Sequence, residues 1–396
     1  MVISTKVSHI MKESSWVRRM FEVAAQLKVQ YGDENVFDYT LGNPVEEPPA
    51  KLKDALKDLA LHPIPGMHRY MPNSGYLETR RFVAAQLREQ TGLSFTEDYI
   101  VMTIGAAGGV NIALKALLDP GDEVIIPSPF FVEFQFYVDN HGGVMRLVET
   151  NEDFTLNLDR IERAITDRTK VVLINSPNNP TGVVYSEAQL TALAALLREK
   201  GEKMPGPIYL LVDEAYKTIV YDNLTLPNIF KIYEPCISIT SYSKSLGLPG
   251  ERIGYVAVNP LMPGAGELMG ALIFLNRTLG YINAPAIMQR LIPLSGDNHL
   301  GTQQYQEKRD VLYGALTDYG YSVVKPQGAF YMFPRTPIDD DLAFVTDLQH
   351  NFRILTVPGR GFGKFGYFRI SYCINMDVIE RSLEGFAAAA KKYGLS

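Results

Sequence analysis

The chain has 396 residues, 46% of them hydrophobic, which is more than one simple core needs and suits two domains. Its 38 basic and 44 acidic residues give a formal net charge of -6, with no long basic run, so nucleic acid is not an expected partner. The stretch from Met1 to Met20 mixes charges into its apolar residues and no later segment approaches a membrane span, so the expectation is a cytoplasmic protein without membrane contact.

From about residue 98 to about residue 260, short apolar runs alternate with helical patterns, which predicts an α/β fold with a mainly parallel sheet covered by helices. The runs are YIVMTI ending at Ile104, EVIIP ending at Pro127, KVVLIN ending at Asn175, IYLLVD ending at Asp213, CISIT ending at Thr240 and IGYVAV ending at Val258. Between two of them Ser186 and Gln189 form a capping-box pair, and Gly201 is expected to stop that helix. Beyond about residue 285 the pattern changes. A helix is expected through QQYQEKRDVLYGAL, then strands near Ser322 to Val324, Ala329 to Phe333 and Tyr367 to Tyr372. The expected domains are 46–284, the larger, and 1–45 with 285–396, a smaller α+β unit.

Ligands of open parallel sheets bind at the carboxyl ends of the strands, so the residues just after each run are the ones to read for chemistry. After Ile104 come Gly105, Ala106, Ala107, Gly108 and Gly109, small enough for backbone N–H groups to approach an anion, although a close-packed helix start would use the same residues. After Asn175 comes Ser-Pro-Asn-Asn-Pro-Thr-Gly, more turn residues than a turn requires. Asn179 precedes a proline, which disfavours helical backbone and fixes the amide at the strand end; the Asn179–Pro180 bond is a candidate cis peptide. Asp213, followed by Glu214, Ala215 and Tyr216, either caps the next helix or pairs with a protonated ring nitrogen. Lys244 sits between Ser241, Ser243 and Arg252. Its amine can form a Schiff base with an aldehyde while the hydroxyls and guanidinium hold a phosphate; the plain alternative is an exposed loop lysine.

SPNNPTG, DEAY and SYSKSLGLPGER in this order resemble the fold-type I pyridoxal 5′-phosphate enzymes of the class I/II aminotransferase family, aspartate aminotransferase-like, across nearly the whole chain. The resemblance implies that Lys244 carries the cofactor, Asp213 pairs with its pyridine nitrogen, and Asn179 with Tyr216 binds its phenolic oxygen. It implies a phosphate site from the Gly105, Ala106 and Ala107 turn with Ser241, Ser243 and Arg252, and a stacking ring from Phe131, with Phe130 as the alternative. Tyr70, in HRYMPNSG, matches a tyrosine that reaches the other subunit's phosphate, which implies a homodimer. Arg369, in YFRISYC, matches the arginine that binds the substrate α-carboxylate, near Gly42 and Asn179.

The implied activity is ping-pong transfer of the amino group of an L-amino acid to a 2-oxo acid such as 2-oxoglutarate. Aspartate or glutamate is the first choice of donor, with aromatic or aliphatic amino acids next and a lyase of the same fold as the rival chemistry. Arg18, Arg19, Arg277 and Arg360 are candidates to meet an acidic side chain; Asn283 and Tyr331 are candidates to line the pocket. Gly361 to Gly366 satisfies G-x-G-x-x-G, but a strand rather than a helix is expected to follow it, which argues against a dinucleotide site. Cys236 and Cys373 fit no metal or redox spacing; no metal is expected.

Overall fold

A computed structural model describes residues 2–13, 15–296 and 301–395, with the side chains of residues 12–21 outside the described set. Its centre is a seven-stranded sheet ordered Ile100–Thr103, Gly254–Val258, Cys236–Ser241, Tyr209–Asp213, Thr169–Asn175, Glu123–Ser128 and Val144–Glu149. Only the Gly254–Val258 strand runs antiparallel to its neighbours. Covered on both faces, the inner strands read as continuous apolar runs instead of alternating ones. Their side chains still divide by parity. Val172, Ile174, Leu210 and Val212 join one buried cluster, and Val171, Leu173, Leu211 and Ile237 join the other.

Six of the seven strands fall on the expected runs. The seventh, Val144–Glu149, forms the outer edge, and its exposed Val144, Arg146, Leu147 and Glu149 hide it from a search for apolar runs. Ser186 closes its capping box with Gln189, and the helix runs through Gly201 instead of stopping before it. No helix among the described residues is long and apolar enough to cross a membrane.

In the C-terminal part the Thr302–Asp318 helix contains the expected pattern. A small antiparallel sheet is ordered Val357–Pro358, Phe368–Ser371, Tyr331–Met332. Two expectations change here. Residues 322–324 form no strand; the Ser322 carbonyl accepts only a single bond from the Arg335 N–H, just ahead of Lys325-Pro326. The strand expected from Ala329 to Phe333 shrinks to Tyr331–Met332, because Ala329 takes a φ of 55°, incompatible with extended backbone. The Gly361–Gly366 motif begins inside a 3-10 turn, Gly359–Phe362, and leads into the Phe368–Ser371 strand instead of opening a helix. The Ala286–Ser295 helix packs on Ala50–Leu61 and Leu77–Thr91, so it sits with the central sheet although it lies beyond residue 284.

The N-terminal segment crosses to this C-terminal part. Phe37–Asp38 pairs in parallel with Ile354–Leu355, and the Tyr39 hydroxyl hydrogen-bonds Ser382 over 2.5 Å. The chain then turns back to the central sheet through residues 40–47. That loop is pinned by Glu46, whose carboxylate takes the Lys308 ammonium at 2.7 Å and the Tyr305 hydroxyl, both from the Thr302–Asp318 helix. Lys308 is buried, so removing one member strands the other. Glu46→Ala is expected to cost about 3–5 kcal/mol in urea unfolding, and Glu46→Ala with Lys308→Met together less than the sum of the two singles.

Candidate functional site

The sheet register brings the predicted residues to one level. Asn175 is the ladder partner of Asp213, and Asp213 is the partner of Ile239, two residues before Ser241. Strand Thr103 and strand Ser241 both pair with Gly254, which sets the Gly105 turn beside the Lys244 segment. A cavity of about 570 Å³ opens over these ends. Ala106 and Ala107 border it from the first turn of the Gly105–Leu117 helix, as do Ser241, Ser243 and Lys244 from the short segment after Thr240.

Asp213 is buried, and among the described residues its carboxylate takes one hydrogen bond, from the Ala215 N–H at 3.0 Å. Among the described residues it has no ion-pair partner. Burial pushes its carboxyl up to about 7; the Ala215 N–H works against that shift and the neighbouring Glu214 adds to it. Lys244 shows the converse. Burial takes its ammonium down to about 8, with Cys373 opposing and the guanidinium groups of Arg252 and Arg369 assisting. Its Nζ donates to the Gly42 carbonyl at 2.6 Å and lies 5.4 Å from the centre of the Phe330 ring. A buried acid and a buried base facing one cavity, each drawn toward neutral pH, are the mark of a site built to change protonation.

The amides after the Thr169–Asn175 strand form a relay. Asn175 donates to the Asp213 carbonyl at 3.0 Å and accepts from the Asn179 N–H at 2.7 Å. Asn179 Oδ1 in turn accepts from Arg369 Nη1 at 3.1 Å, which leaves the Asn179 amide N–H₂ free to donate elsewhere. The Asn179–Pro180 peptide is cis, as expected, and so are Ser128–Pro129 and Ser176–Pro177. Arg369 is buried, gives its Nη2 to the Thr40 carbonyl, and lies between Tyr331 and Phe362 with ring centres at 4.7 and 4.8 Å. Its Nε has no hydrogen-bond partner among the described residues.

Tyr216 and Tyr331 share a hydroxyl contact of 2.9 Å; burial raises the Tyr216 phenol well above its ordinary range and Tyr331 to about 12. Gly42 is required by that pair, since a Cβ there would lie 1.9 Å from the Tyr331 hydroxyl. Gly105 does not line the cavity. It turns with a φ of 75° against Arg252, where a Cβ would come within 2.7 Å of Nη2. Arg252 donates to the carbonyls of Pro249 at 3.0 Å and Ile104 at 3.2 Å, which holds the guanidinium at the mouth of the turn. Ser243 and Ser241 hydroxyls are 2.7 Å apart.

Phe131 borders the cavity, whereas Phe130 is buried in the core behind it. Other candidates stand apart. Tyr70 is 89% exposed and beside a small recess with Asn283, whose amide is spent on the Pro72 carbonyl at 2.9 Å; neither reaches the cavity. Arg360 is held by Asp340 and Asp341, and Arg277 lies over the Phe274 ring at 5.5 Å. The side chains of Arg18 and Arg19 lie outside the described residues. Sequence reading missed Asn175, Thr40, Glu133, Tyr137, Gly361 and Phe362, all of which line the cavity. Asn175 ended an apolar run and was visible in principle; Phe362 lay inside the discarded glycine motif.

Comparison with known proteins places this geometry among relatives. A sequence model of the family described as aminotransferase class I and II matches residues 34–386. A probable aspartate aminotransferase of Methanocaldococcus jannaschii is 30% identical, covering 96% of this chain and 98% of the relative. The aspartate/prephenate aminotransferase of Thermus thermophilus is 32% identical over 88% of this chain and 89% of its own. The crystal structure of an amino transferase from Eubacterium rectale superposes with a TM-score of 0.95 at 38% identity, covering 99% of both chains.

Asp213, which has no ion-pair partner among the described residues, contributes its own pH dependence to stability. Its native pKa of about 7 lies above the unfolded value of 3.8, so its contribution to stability is present below the unfolded value and lost as pH rises through about 7. Asp213→Asn keeps the acceptor for Ala215 and has nothing to ionise. Its melting temperature minus that of the wild type is therefore expected to rise, by roughly 2–4 °C or more, between about pH 5 and about pH 8.5.

Proposed function

The chain belongs to the class I and II aminotransferase family, and from that premise we propose that it moves the amino group of an L-amino acid to a 2-oxo acid with pyridoxal 5′-phosphate as cofactor. Aspartate or glutamate is the first donor to assay and 2-oxoglutarate the first acceptor, in keeping with the names of the Methanocaldococcus and Thermus relatives. The observation that carries the proposal is the buried Asp213, without a cation among the described residues, facing the same cavity as the Lys244 amine.

The residues present fit the cofactor. A ring nitrogen that takes a proton supplies the cation that Asp213 lacks, and the pair stabilises both charges. The lowered pKa of Lys244 leaves part of its amine unprotonated near neutral pH, as attack on an aldehyde requires. Ala106, Ala107, Ser241, Ser243 and Arg252 offer backbone and hydroxyl donors and a guanidinium to a phosphate. Phe131 offers its ring to a flat ligand, and Tyr216 with the free amide N–H₂ of Asn179 can donate to a phenolic oxygen.

Once bound, pyridoxal phosphate supplies an electron sink for the carbon that loses its proton. The chain does the rest. Arg369 takes the amino acid's α-carboxylate, oriented by Asn179 Oδ1, the Thr40 carbonyl and the two flanking rings, and its unpartnered Nε is available to that carboxylate. Lys244 Nζ would hold the cofactor's aldehyde and, once the substrate amine takes that place, would be the base that takes the proton from the α-carbon and delivers it on the cofactor side. Asp213 would keep the ring nitrogen protonated. Phe131, Tyr216, Tyr331 and Phe362 form part of the cavity wall around these groups.

The same proposal divides the chain into a larger body around the central sheet, residues 46–284 with the Ala286–Ser295 helix added, and a smaller body of 1–45 and the remaining C-terminal residues. It makes the protein a cytoplasmic homodimer in which Tyr70, exposed on its own chain, reaches the phosphate held by the partner.

Two substitutions separate the assigned roles. Lys244→Ala is expected to lower turnover by about 10²–10⁴-fold or more, whereas Arg369→Lys raises the KM for the amino acid by about 10–100-fold because a point charge replaces the fork. The experiment that tests the proposal is a half-reaction, in which loaded protein is mixed with one amino acid and no acceptor. One equivalent of the matching 2-oxo acid per site is expected; release of ammonia instead would move the reading to a lyase.

A further inference from the structure

The charges that the described residues of one chain bring to the cavity offer no spare cation to a second substrate carboxylate. Its cations are Lys244, Arg252 and Arg369, and each already has a task in the proposed reaction. Among the described residues no fourth cation lines it, and Arg277 and Arg360 are engaged elsewhere. Its acids are Asp213, which faces the ring nitrogen, and Glu133, which has no task.

Glu133 opens the Glu133–Asn140 helix, two residues after the Phe131 ring. It is half-buried, and among the described residues no hydrogen bond or ion pair engages its carboxylate. Burial holds the carboxyl above its ordinary range. Tyr137, one turn further along the same helix, also lines the cavity; burial raises its phenol to about 12, with Glu133 and Asp213 adding to the shift and Arg252 opposing it. A carboxylate left half-dry without a donor is a standing cost, and a ligand that brings a donor removes that cost. A ligand that brings another carboxylate adds to it, because two like charges in one poorly solvated cavity cannot both stay ionised without penalty.

We propose that Glu133 sets the side-chain class of the amino donor, favouring side chains that end in a hydrogen-bond donor, an amide or an ammonium, over the isosteric carboxylates. This rests on the transaminase reading and refines it: aspartate and glutamate remain chemically competent donors, handicapped by Glu133 relative to asparagine, glutamine or a basic amino acid.

The test compares isosteric pairs on the loaded enzyme. The ratio of kcat/KM for glutamine to that for glutamate is measured in the wild type, in Glu133→Gln and in Glu133→Ala, with alanine assayed alongside as a donor without a polar side chain. The wild-type ratio is expected to exceed one. In both variants it falls by about tenfold, with the change carried by the KM for glutamate and glutamine instead of kcat. A ratio within twofold of the wild type in both variants, while alanine still turns over, overturns the role of Glu133 and leaves the transaminase reading standing. If the wild type transfers no amino group from any of these donors, the transaminase reading fails and the inference falls with it.

Discussion

The Asp213 carboxylate is buried at the end of a central strand with one backbone N–H to serve it and no cation in reach among the described residues. A charge so placed costs free energy in the ligand-free protein, and the fold must hold it there against that cost. It does so through the parallel ladder: Asn175 and Asp213 are fixed at the same level, and the Asn175 amide ties the Asp213 carbonyl to the Asn179 turn. The described residues place no cation there. In the proposed function a protonated pyridine would supply it, and cofactor retention and carbanion stabilisation would then depend on a single carboxylate.

In the proposed function the smaller body would serve the substrate side. Glu46, Lys308 and Tyr305 fix the loop whose Thr40 and Gly42 carbonyls accept from Arg369 and Lys244. A buried ion pair is weak evidence for stability by itself. Here its use is positional, because a loop that drifted would release the arginine and the lysine together. Gly42 shows how closely the two halves approach, since no side chain fits between that loop and the Tyr331 hydroxyl.

Much of this was legible in the sequence because it depends on local patterns. Strands covered on both faces leave uninterrupted apolar runs, and a chemically active residue just past such a run, Lys244 or Asp213, has a place before the structure is known. What escaped notice depends on context outside the local window. Val144–Glu149 is an edge strand with polar and exposed residues in it, and its pairing with Glu123–Ser128 is what makes it a strand. The extended run expected from Ala329 fails at a positive φ that an alanine rarely adopts. Glu133 reads as an ordinary first-turn acid until the cavity shows what it faces and what it lacks. Tyr70 stands outside the cavity of its own chain, and only the family resemblance, not a local pattern, gave it an expected role.

The most direct measurement is the ¹⁵N chemical shift of the ring nitrogen in protein loaded with ¹⁵N-labelled pyridoxal phosphate, followed with pH in the wild type and in Asp213→Asn. A nitrogen that stays protonated across the neutral range in the wild type, and loses its proton in Asp213→Asn, is the expected result. A nitrogen that is unprotonated in the wild type at neutral pH, or that titrates identically in the two proteins, would contradict the pairing on which the site depends.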